Sequence, residues 1–301
     1  MAFEKSLGEE LDRESDRPGA GQRLELLKRN GVWGKRLFLS AVLAWFSFLV
    51  LFPVVEMILG AFRSGFVPFL TALQTPAARH AFWLTFWISV VSVLVNTFFG
   101  LILALVLAQQ DFRGKALVNG LVDLPLAVSP VVAGFMFIIL FGKNGWLGHW
   151  FEQGGIQIVF AVPGMILATI FVSLPFVVRE VVPVLKECGL EQEEAARTLG
   201  ASRWHTFWRV TLPSIRWGLA YGITLTTARS LGEFGAVLVV SGSIIGSTQT
   251  ATLHVHQEFN DFHFQGAFSA SLVLAVVSFS LLIIMELLKK KQWMVGQGLR
   301  E

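Results

Sequence analysis

Residues 194–213 read EAARTLGASRWHTFWRVTLP, a stretch in which acids, a glycine, aromatic residues and a proline follow one another at helical spacing. Acidic side chains at Glu191, Glu193 and Glu194 favour the first turn of a short helix, because the helix dipole is positive there. Gly200 is expected to end this helix, since glycine tolerates the left-handed backbone that closes a helix. A second helix, capped by Ser202, is expected to follow and to stop at Pro213. The pattern therefore predicts a bent pair of short helices.

The second helix carries aromatic side chains at helical spacing. Trp204, Phe207 and Trp208 stand three and four residues apart, so they share one face. One interpretation is a helix pair that fits a groove on a partner protein. The other is an amphipathic helix lying on a membrane surface, which Arg203 and Arg209 would also suit. The spacing of these residues is compatible with both.

The composition of the chain is that of a membrane protein. Of the 301 residues, 54% are hydrophobic and only 15% are charged, far from the averages of soluble proteins. A helix needs about 20 mostly apolar residues to cross the hydrocarbon layer. Six stretches meet this length, so we predict an all-α protein with six transmembrane helices. They are 37–62, 82–108, 116–141, 157–178, 217–241 and 267–288.

The positions of Lys and Arg predict the orientation of these spans. If the spans alternate, 20 of the 24 basic residues fall on the side that holds the N-terminus. Basic residues near span ends tend to remain in the cytoplasm, so both termini and the 179–216 loop are expected there. The polar residues 1–36 are expected to be a cytoplasmic tail rather than a signal peptide, and residues 291–301 a second tail.

Several classes of function are disfavoured by what the sequence contains. The net charge of +3 is too small to suggest nucleic-acid binding, and the single Cys188 excludes an intrachain disulfide or a cysteine metal cluster. His254, His256 and Glu258 alternate, which suits either metal ligands or an extended segment that contacts a partner or packs beneath it. The helical His-Glu-x-x-His pattern is absent, so we expect no metal site, no cofactor and no catalytic residue in this chain.

Charged residues and prolines within the predicted spans are the other unusual features. Arg229 and Glu233 lie four residues apart and can pair on one helical face, either as a structural ion pair or as a gate that meets an anion. Asp123 poses the same choice, between structural pairing or capping and a role in a pathway. Pro125 and Pro130 are expected to interrupt the third span.

The 194–213 stretch resembles the EAA loop of binding-protein-dependent ABC importers. The resemblance rests on Glu194-Ala195-Ala196, Gly200 after three residues, and then Val210, Leu212 and Pro213, with Val210 in place of the more usual isoleucine. It implies a type I ABC importer permease fold over residues 37–290. It also implies that the loop is a coupling helix, which contacts an ATPase through Glu194, Ala195, Ala196, Gly200, Trp204, Trp208, Leu212 and Pro213.

The ATPase is expected to be a separate chain. This sequence has no Gly-x-x-x-x-Gly-Lys-Ser/Thr loop to hold phosphates, so ATP and magnesium would bind to a partner. The resemblance implies two such ATPase subunits.

Other runs resemble sulfate/thiosulfate permeases. Residues 123–134, 160–164 and 232–242 carry this likeness, and residues 140–148 and 253–255 resemble the W-type sulfate subunit. The likeness implies a T-type permease partner, a periplasmic sulfate-binding protein and a place in a bacterial inner membrane. A molybdate or tungstate permease is the alternative within this class; a channel or an intramembrane enzyme is the alternative outside it.

A sulfate dianion can be passed by backbone N–H groups and hydroxyls without many cationic side chains. The residues expected to contribute to the pathway or gate are Asp123, Ser129, Pro130, Arg229, Glu233, Ser247 and Thr248.

Overall fold

The computed structural model of the protein describes the backbone of residues 20–298 and the side chains of residues 38–288 apart from Glu152. Residues 1–19 and 299–301 of the two predicted tails lie outside the described residues. All regular structure from residue 20 to residue 298 is helical, as predicted. The helices are α1 (Ala20–Phe62), α2 (Phe66–Gln74), α3 (Pro76–Gln109), α4 (Lys115–Ala127), α5 (Pro130–Phe141), α6 (Gly148–Gln153), α7 (Val162–Cys188), α8 (Glu191–Thr198), α9 (Arg203–Thr206), a π-helical segment (Phe207–Thr211), α10 (Leu212–Leu231), α11 (Gly235–Ser241), α12 (Ala251–Asn260) and α13 (Phe264–Gly298).

The chain divides into two units, residues 1–57 and residues 58–301. In the first unit, α1 exposes large apolar side chains such as Phe38, Trp45 and Phe46. Exposure of this kind along a helix of mean hydropathy 2.4 is typical of a membrane span that faces lipid or another apolar surface. The second unit contains the remaining helices.

The core of the second unit is built around α7, which packs between α3 and α10. Val177, Val181 and Ile215 are fully buried in this core. The helices approach closely because glycines face them: a Cβ on Gly100 would lie 3.1 Å from the side chain of Val177 and one on Gly218 would lie 2.7 Å from Val184. Small residues at helix contacts are the usual device for tight packing in membranes.

A buried polar contact also joins these three helices. Asn96 of α3 donates a hydrogen bond from Nδ2 to Ser173 Oγ of α7 at 2.8 Å. Ser230 of α10 contacts the same hydroxyl at 3.4 Å. Hydrogen bonds between membrane helices contribute modestly, about 0.6 kcal/mol on average, but they fix rotation and register.

The predicted six spans agree with the helices, with two of them bent. Four helices are long and apolar enough to cross a membrane, and two bent pairs, α4 with α5 and α10 with α11, bring the total to six if each pair crosses once. The α4–α5 pair bends by 111° and the α10–α11 pair by 52°. The first bend lies at Ser129, because the residue before Pro130 is pushed into extended backbone. Pro125 remains inside α4 and does not end it.

The helix that contains the fourth predicted span extends beyond the end of that span. The fourth span was predicted to end at residue 178, but α7 continues to Cys188, since Val181, Val184 and Leu185 pack into the core. Arg179, assigned to the cytoplasmic loop, therefore lies within α7. The stretch around His254, where the sequence left metal ligands or an extended segment as alternatives, forms the helix α12 and is not extended.

Candidate functional site

The segment after α7 folds as the short helix α8 and a second helix that begins at Arg203, and the two are joined at Gly200, as predicted. After α8, Gly200 N–H donates to Arg197 O and Ala201 N–H donates to Ala196 O, both at 3.0 Å. This pair of bonds is a Schellman motif, and Gly200 adopts the required left-handed backbone with φ of 87°. Ser202 then caps α9, because its Oγ accepts from His205 N–H at 3.3 Å.

The three aromatic side chains of the loop form one cluster. The ring centroids of Trp204 and Phe207 are 6.3 Å apart, and Trp208 lies 5.5 Å from each of them. Trp204 is 71% exposed and Trp208 is half exposed, whereas Phe207 is partly covered. The cluster therefore presents apolar rings to a partner or a surface outside this chain.

Pro213 does not stop the second helix, contrary to the sequence prediction. The chain remains helical from Arg203 to Leu231, passing through the π-helical segment into α10. Leu212 N–H bonds to Phe207 O, five residues back, and Pro213 then occupies the first turn of α10. A π turn is wider than an α turn, so the missing N–H and the ring of Pro213 are accommodated where the π-helical segment passes into α10.

The exposed surface of the loop contains most of the predicted coupling residues. Glu194, Ala195, Gly200, Trp204, Trp208 and Pro213 are exposed, while Ala196 and Leu212 are partly buried. Leu199, which the sequence argument did not single out, is 89% exposed beside this surface. An exposed leucine next to exposed indoles indicates a surface that another protein or membrane covers.

Glu193, expected only to favour the first turn of α8, has a further set of contacts. Its side chain faces inward, with the residue only 7% exposed, and its Oε1 accepts hydrogen bonds from Gln109 Nε2 at 2.8 Å and Thr211 Oγ1 at 2.6 Å. Its Oε2 lies 3.4 Å from Arg197 Nη2. The run of acids in the sequence does not distinguish this buried carboxylate from its exposed neighbours.

The breaks in the two bent spans lie side by side. A Cβ on Gly235, at the start of α11, would lie 3.0 Å from Pro130 Cβ, at the start of α5. A Cβ on Gly134 would lie 2.8 Å from Ala236 O. The fold thus joins the 123–134 and 232–242 runs, and irregular backbone at membrane depth is expected only inside protein or beside a water-filled cavity.

Arg229 and Glu233 form the ion pair that their spacing predicted. Arg229 Nη1 lies 2.7 Å from Glu233 Oε2, although Glu233 lies in the break after α10 rather than inside the helix. The carboxylate also accepts from Ala236 N–H at 2.8 Å, which caps α11. Thr252 of α12 donates to Glu233 O at 2.8 Å. The residue therefore fastens the break to its surroundings, whereas its role in passing an anion stays a prediction.

Asp123 also has a structural partner. Arg179 Nε donates to Asp123 Oδ1 at 2.6 Å, and Arg179 Nη2 contacts Oδ2, so the guanidinium and the carboxylate pair through both of their arms. Both side chains are partly exposed, and the pair joins α4 to α7. The structural pairing considered for Asp123 is present. Its partner, Arg179, had been assigned to a loop because the fourth span was predicted to end at residue 178.

The remaining pathway candidates fall into two groups. Ser129 and Ser247 are exposed, and Pro130 begins α5 beside the first break. Thr248 is buried, and its hydroxyl donates to Ser241 O at 2.6 Å and accepts from Ile244 N–H at 3.1 Å. This hydroxyl therefore stabilises the loop after α11. The role of these residues in an anion pathway stays a prediction.

His254 and His256 do not share a face, because residues two apart on a helix point in nearly opposite directions. His254 is buried, and desolvation lowers its pKa below the ordinary 6.5, while Glu258 opposes the shift. His256 is exposed, with its ring 5.3 Å from the ring of Phe234. Among the described residues, no group of three or more His, Cys, Asp or Glu side chains is arranged to hold a metal ion.

The sequence matches a known family over most of this architecture. Residues 96–293, from α3 to α13, match the binding-protein-dependent transport system inner membrane components. The chain belongs to this family. It is therefore a membrane permease component of an ABC transport system, and the resemblance found in the EAA stretch is confirmed.

Curated relatives refine the match. The chain is 51% identical to the sulfate transport system permease protein CysW of a Synechocystis species over 257 residues, covering 85% of this chain and 93% of the relative. It is 44% identical to CysW of Escherichia coli K12 over 261 residues, covering 87% and 89%. It is also 34% identical to CysT of the same bacterium, covering 86% and 93%.

Solved structures show the same fold at low identity. A chain in a bacterial ABC transporter involved in alginate import superposes with a TM-score of 0.73 at 19% identity, covering 90% of this chain and 99% of that chain. A second alginate transporter structure, in complex with a periplasmic protein bound to an alginate pentasaccharide, has a TM-score of 0.72 at 20% identity, with coverage of 87% and 94%. The predicted type I ABC importer permease fold is confirmed.

Proposed function

We propose that this chain is the W-type permease subunit of an ATP-driven importer that carries sulfate or thiosulfate across a bacterial inner membrane. The observation that carries the proposal is the likeness to proteins named CysW, at 51% and 44% identity over nearly the whole of both chains. Such a likeness covers the helix breaks as well as the coupling loop, and so includes the regions where substrate choice would reside.

The coupling loop would contact a separate ATPase. Its exposed surface combines Glu194 with the apolar side chains of Leu199, Trp204 and Trp208. Aromatic anchors with a nearby charge are typical of protein–protein contacts. Two ATPase subunits, which would hold ATP and magnesium, would close on ATP and push on this surface. Binding at the ATPase and opening of the pathway would thereby be linked.

Two further partners complete the proposal. A T-type permease would form the other half of the membrane unit, and the 34% identity with CysT supports two homologous halves. A periplasmic sulfate-binding protein would deliver the anion, in line with a solved relative of the same fold that holds a periplasmic protein. Both termini would lie in the cytoplasm, because 20 of the 24 basic residues lie on that side.

The pathway would pass a dianion with few free cationic groups. Arg229 is paired, so polar contacts would come from the Ser129 hydroxyl, from the N–H groups of Val131 and Val132 that follow Pro130 in the first turn of α5, and from the exposed Ser247. The first N–H groups of a helix have no partner within that helix and attract anions. The gate role of Asp123, Arg229, Glu233 and Thr248 belongs to this proposal as well.

Uptake measurements test the substrate. Cells that lack this chain should lose uptake of labelled sulfate and thiosulfate and keep uptake of molybdate. Loss of molybdate uptake alone would refute the sulfate assignment and favour a molybdate or tungstate permease. The cells are grown on limiting sulfate. If uptake of all three anions is unchanged in cells that lack this chain, the importer role is refuted.

Purified complexes test the coupling. Trp204→Ala and Trp208→Ala should weaken ATPase association and lower the ATP hydrolysis that the substrate-loaded binding protein stimulates. Trp150→Ala is the matched control, because Trp150 is an equally exposed indole in the loop predicted to be periplasmic. ATP hydrolysis that is the same with and without this subunit would favour a channel or an intramembrane enzyme instead.

A further inference from the structure

Glu193 is the one acid of α8 that turns toward the membrane domain. Glu191 and Glu194 are exposed, whereas Glu193 is buried. The three contacts of its carboxylate come from different parts of the chain: Gln109 at 2.8 Å, Thr211 at 2.6 Å and Arg197 at 3.4 Å. A buried carboxylate with this set of donors holds its neighbours in one arrangement, because losing any partner leaves polar groups unpaired.

Two of these donors stand at the ends of membrane helices. Gln109 is the last residue of α3, and Thr211 is the last residue of the π-helical segment that leads into α10. Gln109 lies 84 residues from Glu193 along the chain, and Thr211 lies 18 residues away. One side chain therefore joins the coupling helix to α3 and α10, the two helices between which α7 packs.

Glycines with left-handed backbone stand on both sides of α8. Gly189 and Gly200 flank the helix with φ of 66° and 87°, and a Cβ on either would meet nothing within 4 Å. A helix of eight residues is also too short to be stable alone in water. The Schellman bonds hold the turn after α8, and the hydrogen bonds of Glu193 connect the helix itself to Gln109 and Thr211.

We propose that Glu193 is the positioning residue that passes the movement of α8 to α3 and α10. Glu193 does not contact the ATPase or the anion. It connects α8, the helix that the ATPase moves, to α3 and α10, the helices that must move in turn. The close packing of α3, α7 and α10 would carry that displacement onward, since tightly packed interiors transmit strain. This inference rests on the proposed function, in which α8 receives the movement of an ATPase.

The expected defect is loss of coupling rather than loss of binding. In Glu193→Ala, the exposed surface of α8 and α9 remains, so the ATPase should still associate and hydrolyse ATP. The amount of sulfate moved per ATP should fall about tenfold, the size expected when a hydrogen bond to a charged group is lost. Glu193→Gln retains an oxygen that can accept from Thr211 and Gln109, and it should recover most of the ratio.

The experiment uses the complete complex in liposomes, with sulfate-loaded binding protein on one side. ATP hydrolysis and labelled sulfate uptake are measured together, after the subunit composition of each complex has been checked. Glu191→Ala is the matched control, because it removes an exposed acid from the same helix. Thr211→Val should lower the same ratio, and it should add nothing to Glu193→Ala if both act through one contact.

The outcomes separate this inference from the function on which it rests. If the unmodified complex moves no sulfate, or hydrolyses ATP regardless of this subunit, the proposed function fails. If the unmodified complex works and Glu193→Ala keeps the normal ratio of sulfate to ATP, the positioning role is refuted. If Glu193→Ala does not assemble, Thr211→Val decides the question by the same ratio, since it removes a single hydrogen bond.

Discussion

Removing the Arg229 guanidinium should destabilise the break between α10 and α11. Glu233 Oε2 lies 2.7 Å from Arg229 Nη1, and the carboxylate side chain is only 3% exposed. Arg229→Met would leave this carboxylate buried without its cation, which typically costs 3 to 5 kcal/mol. We expect about 3 kcal/mol, the lower end of that range. The reason is that the Arg229 side chain is 28% exposed and water already screens part of the attraction.

The reciprocal change should be milder. Glu233→Gln keeps an oxygen that can accept from Ala236 N–H, and it leaves an arginine that water can reach. We expect a cost of about 1 kcal/mol for this variant, near the upper limit for a partly exposed pair. The double variant should then lose about 2 kcal/mol rather than the sum of 4, because neither charge is left alone.

Unfolding of the purified chain in mixed micelles measures these free energies. The denaturing detergent is raised stepwise, and tryptophan fluorescence follows the loss of structure in the unmodified chain, both single variants and the double variant. Strictly additive costs would contradict the reasoning, since they would mean that the two side chains do not interact. Sulfate uptake by the double variant distinguishes a structural ion pair from a gate. Near-normal uptake indicates a structural pair, and a folded chain without uptake indicates a gate that meets the anion.

Three other perturbations test separate parts of the fold. Gly200→Val should reduce both ATPase stimulation and uptake, because φ of 87° strains a branched residue, whereas Gly200→Asn should be tolerated; equal activity of both would contradict a conformational role. Gly218→Val should lower the free energy of unfolding by about 1 to 3 kcal/mol and so lower the melting temperature, since its Cβ would lie 2.7 Å from Val184. Gly120→Ala serves as the control, because a Cβ there meets nothing within 4 Å. The depressed pKa of His254 means that the unfolded chain binds the proton more readily, so stability is full above the ordinary pKa of 6.5 and declines as the pH falls through it. His254→Gln should flatten the dependence of melting temperature on pH, and an unchanged slope would show that another group is responsible.

The local structure of α8 and of the turn that follows it was predictable in detail. The acids at the start of α8, the left-handed Gly200 and the Ser202 cap all act within a few residues of their own position, so the sequence contains the whole cause. Pro213 was misjudged because its effect depends on the turn before it. The π-helical segment ahead of α10 accommodates the proline ring, and the local sequence pattern does not predict that segment.

Charge partners were predictable only where they lie close in sequence. Arg229 and Glu233 are one helical turn apart, and their pairing followed from that spacing. Asp123 and Arg179 are 56 residues apart, and the arginine had been placed in a loop, because the apolar pattern of α7 weakens before its packing ends. Such a pair becomes visible only when α4 and α7 are brought together.

The sequence by itself determined the class of this protein. Long apolar stretches, the distribution of Lys and Arg and the EAA pattern are each local or additive properties, so they can be interpreted without coordinates. The tertiary structure alone decided which acid of α8 turns inward, that the two helix breaks adjoin, and that α10 runs through Pro213. These features depend on contacts between residues that are distant in the chain, because burial and pairing arise only when helices pack against one another.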